Sequence, residues 1–133
     1  MAVSERLLLY RIRRFIPRKA SVIAVEVAPC NPLGGSPVKN PIVLTDKALL
    51  FVSSKGARAI VTRVPFDQVA GTRGDHGFML IVWWDEVRRE NRTVTLDFTR
   101  GHRDPDAFLG QVVKAMRPWL KPHKATVEGP EHS

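Results

Sequence analysis

The chain has 133 residues, close to the ~150 that make one domain, and a domain of that size buries enough surface to fold without staples. With 44% hydrophobic and 26% charged residues it is not a disordered chain, and its one cysteine, Cys30, excludes an internal disulfide framework or a Cys-rich zinc site. The net charge of +8 is unevenly placed: residues 1–19 carry +5, residues 20–64 add +3, and the remainder balances. An excess confined to one half points to an anionic partner.

Residues 4–16, SERLLLYRIRRFI, read as a basic amphipathic helix. Ser4 is placed to cap it, and Pro17 ends it because proline restricts the residue before it. Steps of 100° put Leu8, Leu9, Ile12, Phe15 and Ile16 on one arc, with Arg11, Arg13 and Arg14 outside it. The apolar arc needs a cover, and three are possible: the chain's own sheet, a second protein, or the headgroup region of a bilayer. The helix is read as a separable docking element.

From residue 21 the period becomes two. Residues 21–27 suit a strand. Residues 29–41 hold four prolines and two glycines and read as a long loop that leaves Cys30 exposed. Strands follow at 42–45 and 48–53 around an Asp46-Lys47 turn, then at 59–64 after a turn at 54–56 in which Gly56 suits a positive φ. A weaker strand at 68–73 precedes a turn at 74–77. Residues 78–84, FMLIVWW, read as a central strand with both faces covered near one end; one of Trp83 and Trp84 must face the core. Residues 85–91 form a polar, basic tip, and 93–99 alternate as a half-buried strand with Val94, Leu96 and Phe98 inward. Asp104 caps a helix over 104–120 with Pro105 in its first turn and a stripe of Phe108, Leu109, Val112, Met116, Trp119 and Leu120. Residues 121–133 show no pattern and read as a flexible tail.

Seven short strands and then one amphipathic helix suggest a bent sheet or partial barrel with a helix plugging its open end. The run Ile42-Val43-Leu44-Thr45-Asp46-Lys47-Ala48-Leu49-Leu50-Phe51-Val52 resembles the second and third strands of pleckstrin-homology-like domains, particularly the bacterial and GRAM-like branches. In those a Thr-Asp/Asn-Lys/Arg-x-Leu pattern crosses the hairpin. The continuation Val64-Pro65-Phe66-Asp67-Gln68-Val69, a Gly-rich turn, an aromatic strand and a last helix follow the same order, so the resemblance covers roughly residues 20–120. It implies a mainly β fold, a seven-stranded partial barrel capped by the C-terminal helix, here preceded by the N-terminal helix.

The resemblance also implies that the first, third and sixth interstrand loops gather at one open end. Those loops, 29–41, 53–57 and 85–92, and their edges carry Lys39, Lys55, Arg58, Arg88, Arg89 and Arg92. Cations converging there could hold phosphate oxygens by charge-assisted hydrogen bonds. The family's lipid-binding pattern places several basic residues across the first hairpin; here Lys39 stands alone before an uncharged strand. Attraction to an anionic surface is therefore expected rather than a specific inositol-phosphate pocket.

No enzyme is indicated. The four histidines lack metal-ligand spacing and are expected to be solvated, Ser53-Ser54 has no base in a recognisable pattern, and Gly34-Gly35 lacks the lysine of a nucleotide loop. No metal or cofactor is expected. The reading is a non-enzymatic binding module for an anionic membrane surface, with protein–protein interaction as the alternative and non-specific nucleic-acid binding third. A homo-oligomer is among the possible partners. No apolar run approaches the ~18 residues of a membrane span, and the first, Leu7 to Tyr10, is too short for the core of a secretory signal, so the expected location is cytoplasmic, with peripheral attachment at the inner face of the membrane.

Overall fold

Short β-branched runs separated by turns fold into a meander of β1 (Val22–Cys30), β2 (Val38–Thr45), β3 (Ala48–Lys55) and β4 (Arg58–Pro65), followed by β5 (Val69–Asp75), β6 (Phe78–Asp85) and β7 (Glu90–Asp97). The structure is a computed structural model and describes residues 3–55, 58–100, 102–120 and 126–128. The seven strands are antiparallel and do not close: the order is β4-β3-β2-β1-β7-β6-β5, and β1 meets β7 only where Cys30 pairs with Leu96. Gly56 and most of the expected tail lie outside the described residues. Within that tail, Thr126–Glu128 form β8, parallel to β5, so these three residues are a strand rather than unpatterned chain.

The expected loop at 29–41 is shorter than its composition suggests. β1 continues to Cys30 and β2 begins at Val38, with Pro29 opposite Lys39 and Pro41 opposite Val27. The β2–β3 ladder covers only residues 42–44 of β2. Both prolines thus lie where a strand has essentially one neighbour, so a missing N–H costs no ladder bond. The β2–β3 turn falls where expected. The Thr45 hydroxyl oxygen accepts from the backbone N–H of Lys47 at 3.1 Å and of Ala48 at 2.9 Å, fixing the corner.

The main core lies inside the bent sheet. Ala28, Cys30, Ile42, Leu44, Leu49 and Phe51 from one half meet Met79, Ile81, Trp83, Val94 and Leu96 from the other. The helix α2 (Pro105–Met116) closes the open side with Phe108, Leu109, Val112 and Met116, all buried. Its N-cap is Asp104, whose carboxylate accepts from Asp106 N–H, and Pro105 occupies the first turn. The last part of the expected helix, Arg117–Trp119, is a 3-10 turn around Pro118, and Trp119 donates its indole N–H to the Asp46 carbonyl at 3.0 Å. Gly77 (φ +72°) is required where the β5–β6 turn meets α2, because a Cβ there would stand 2.8 Å from the Pro105 side chain.

A second apolar cluster lies on the outer face of β1–β4. Val43, Leu50 and Val52 point away from the main core, and the N-terminal segment covers them. This segment is not one continuous helix. α1 (Val3–Arg11) ends where Ile12 leaves helical geometry, and Arg13–Phe15 form a 3-10 turn before Pro17. The break turns Ile12, fully buried, into the sheet, with Leu8, Leu9, Phe15 and Ile16 packed around it. Among the three covers for the arc, the structure shows the chain's own sheet, which corrects the reading of these residues as a docking element. The chain is pinned again at the far end, where Ser21 N–H donates to the Asp46 carboxylate at 2.8 Å and Lys47 Nζ to the Arg18 carbonyl at 3.0 Å.

Double coverage belongs to β2 and β3. In β6, expected to be covered on both faces, Met79, Ile81 and Trp83 are buried while Leu80, Val82 and Trp84 are half-buried. Trp83 is therefore the core tryptophan.

Ile12→Ala removes a fully buried side chain from the second cluster and should cost about 2–4 kcal/mol in urea denaturation. Leu7→Ala, at a position 60% exposed, should change stability by no more than about 0.5 kcal/mol.

Candidate anion-binding surface

Alternation along the meander puts the β1–β2 loop and the β3–β4 turn at one end of their half-sheet. A hydrogen-bonded network brings the β6–β7 loop to the same place. Asp85 closes β6, and its Oδ1 accepts from the backbone N–H of Val87 at 3.0 Å and of Arg88 at 3.2 Å, shaping the loop. Its Oδ2 accepts from Arg92 Nη1 at 3.0 Å, and Arg92 Nη2 donates to the Pro32 carbonyl in the β1–β2 loop at 2.7 Å. Asn31 Oδ1 adds bonds from Thr95 N–H at 2.7 Å and the Thr95 hydroxyl at 2.9 Å. Burial opposes the charged form of Asp85. The Arg88 N–H, the Arg92 guanidinium and the Val87 N–H outweigh it, so the carboxyl titrates below the ordinary range. The Asp97 carboxyl is lowered too, by the hydroxyl and backbone N–H of Thr99.

The six cations expected at this end divide. Lys39 on β2, Arg58 at the start of β4, and Arg88 and Arg89 on the β6–β7 loop are exposed; Arg89 has φ 55°. Lys55 ends β3 opposite Arg58, and its side chain lies outside the described residues. Arg92 is not available to a ligand. Its side chain is only 15% exposed, paired with Asp85 and lying over the Trp83 ring at 5.6 Å. Its position between a strand-end aspartate and a loop carbonyl makes it the brace of the site rather than a recognition residue. Beside the free cations stand three exposed apolar side chains, Leu33, Val38 and Val87, the last 93% exposed. Glu86 and Glu90 flank Val87, Arg88 and Arg89 in the same loop.

A second cluster joins residues that the sequence keeps apart. Arg11 and Arg14 line a groove with Phe15 and the first residues of β4, Arg58, Ala59, Ile60 and Val61. Among the described residues no carboxylate lines it. Arg14 lies over the Phe15 ring at 4.9 Å, while Arg13 turns away to stack on Tyr10 at 4.0 Å. The sequence places Arg11, Arg13 and Arg14 together outside the apolar arc; the approach of Arg58 to Arg11 and Arg14 leaves no sign in it.

Cys30, expected in an exposed loop, is buried at the end of β1, and burial pushes its thiol up to about 11 despite a contact from Asn40 Nδ2. His76 is exposed near Asp106, whereas His102 is half-buried against Phe98 with ring centroids 4.8 Å apart, not solvated as expected. His123 and His132 lie outside the described residues. Among the described residues no three His, Cys, Asp or Glu side chains gather as metal ligands, and no helix is long and apolar enough to cross a membrane.

No family model matches the sequence, and no curated protein matches it either. Solved structures do. The chain is similar to the DH/PH domains of PDZ-RhoGEF in complex with activated RhoA, with a TM-score of 0.61 and 10% identity over 85% of this chain and 34% of that one. It is similar to the hSac2 domain of the human phosphoinositide phosphatase Sac2, with a TM-score of 0.59 and 10% identity over 100% of this chain and 93% of that one. A Shewanella loihica protein with a pleckstrin-homology domain gives 0.53 and 12% over 90% of this chain and 99% of that one. The chain spans about a third of the DH/PH fragments it resembles. The fold is pleckstrin-homology-like.

Two outcomes follow for the buried groups. Because the folded-state pKa of Asp85 is depressed, its contribution is complete above the unfolded value near 4 and is lost as pH falls through the lower native value. Urea midpoints should therefore drop on acidification below about pH 4. Asp85→Asn should cost about 2 kcal/mol at pH 7 and flatten that drop, leaving the part due to Asp97. A thiol reagent at pH 8 should label Cys30 in the native protein at least ~100-fold more slowly than in urea, since reaction awaits opening and ionisation.

Proposed function

We propose that this chain is a non-catalytic binding module that associates peripherally with an anionic membrane surface through its open, braced loop end. The observation that carries the reading is the pairing there of exposed apolar tips with free cations. Leu33, Val38 and Val87 can enter the boundary between headgroups and acyl chains, while Lys39, Arg88, Arg89 and Arg58 meet headgroup phosphates. Apolar insertion and charge attraction then add, and neither requires a closed ligand pocket. Arg92 serves by tying the β1–β2 loop to the β6–β7 loop. The similarity to a phosphoinositide phosphatase domain and to a fragment captured with RhoA supports a binding role on this scaffold without choosing the ligand. On this reading the chain sits in the cytoplasm against the inner face of the membrane.

Co-sedimentation with vesicles of phosphatidylcholine alone or with phosphatidylserine tests it. Binding should require the anionic lipid and weaken with added salt. A cation near such a surface contributes about 1 kcal/mol, so Arg88→Ala with Arg89→Ala should weaken binding roughly 30-fold. Val87→Asp should weaken it further, with the unfolding midpoint unchanged in both variants. Equal sedimentation with both vesicle types would exclude the membrane reading.

A further inference from the structure

The two edges of the sheet differ. The β5 edge is covered by the chain's own β8, which adds to it as a parallel strand over Thr126–Glu128. At the other end of the order stands β4, which has β3 on one side and, among the described residues, no strand on the other. Strand geometry leaves alternate backbone N–H and C=O groups of such an edge without ladder partners, a template for one more strand. The groove described above runs along this edge. Ala59, Ile60 and Val61 form its wall, and Arg11, Arg14 and Arg58 surround it with, among the described residues, no carboxylate in its lining. Arg63, further along β4, is also exposed.

We propose that the β4 edge takes an extended acidic peptide as an added strand, the backbone of β4 supplying hydrogen bonds and Arg11, Arg14 and Arg58 holding its carboxylates. Charge decides the occupant. A second copy pairing edge to edge would bring Arg58 and Arg63 of each chain against like charges, which opposes self-association. An acidic strand meets cations along the same edge, and the guanidiniums can grip carboxylates with two parallel bonds. This site shares Arg58 with the membrane surface but uses none of Arg88, Arg89 and Val87, so it adds a protein ligand to the membrane reading and does not depend on it.

The test uses the full chain and a synthetic eight-residue peptide of alternating Glu and Thr, with affinity measured by calorimetry and the site by amide NMR shifts. Binding should shift the amides of residues 58–61. A peptide N-methylated at alternate positions should bind at least tenfold more weakly, because it cannot complete the ladder. Arg11→Ala with Arg14→Ala should weaken binding about tenfold with the fold intact, since both side chains are exposed. Arg88→Ala with Arg89→Ala should leave it unchanged, whatever that variant does to vesicles. A Lys-Thr peptide should not bind. Equal affinity for the methylated peptide would reduce the site to charge attraction and overturn strand addition. Shifts confined to residues 86–90, or binding of inorganic phosphate with none of the peptide, would overturn it as well.

Discussion

The apolar residues of β2 and β3 need cover on both faces. Ile42 and Leu44 on β2, with Leu49 and Phe51 on β3, point into the main core, while Val43, Leu50 and Val52 point out of it. Leaving that outer row wet would forfeit about 25 cal/mol for each Å² of apolar surface it could bury. The N-terminal segment answers the requirement, and its own apolar arc is answered in return. Much else depends on this one match. It bends the segment at Ile12, directs Arg11 and Arg14 toward the start of β4, and leaves Leu7 and Tyr10 on the solvent side.

The loop end rests on a different kind of contact. The β1–β2 and β6–β7 loops, with their prolines, glycines and exposed charges, have little apolar surface with which to order one another. Order comes instead from Asp85, Arg92 and Asn31, whose side chains complete backbone groups that no strand completes. A buried carboxylate and a half-buried guanidinium are costly to desolvate unless bonded, and neither leaves a buried polar atom without a partner among the described residues. The exposed cations Lys39, Arg88 and Arg89 can then stay solvated, because the backbone carrying them is already placed.

Legibility in the sequence followed the scale of the interaction. Strand and helix periods are local, so the seven strands, the Asp46-Lys47 turn and the Asp104 cap could be read directly. The coverage of β2 and β3 also had a local sign: residues 42–44 and 48–52 are apolar without alternation, as a strand buried on both faces must be. The same sign was misleading in residues 78–84, where the second face is only half covered. Long-range pairings left no such trace. Arg92 reads as one more loop cation until the Pro32 carbonyl, sixty positions away, is known to accept from it. The strand residues Pro29 and Pro41 read as loop because composition does not show which side of a strand lacks a neighbour.

The seam between the halves has mechanical meaning. A single residue pair, Cys30 with Leu96, joins β1 to β7, so hydrogen bonding hardly crosses the middle of the sheet. What transmits force between the two plates is side-chain packing, chiefly through α2, together with the bonds from Asn31 and Arg92. Packing is soft to a small rotation where a ladder is stiff. The molecule is therefore built as a book, with α2 along the open side and its spine at Cys30. A change of angle at that spine would carry the β1–β2 loop and the β6–β7 loop together, because the bonds of Arg92 and Asn31 tie the two covers.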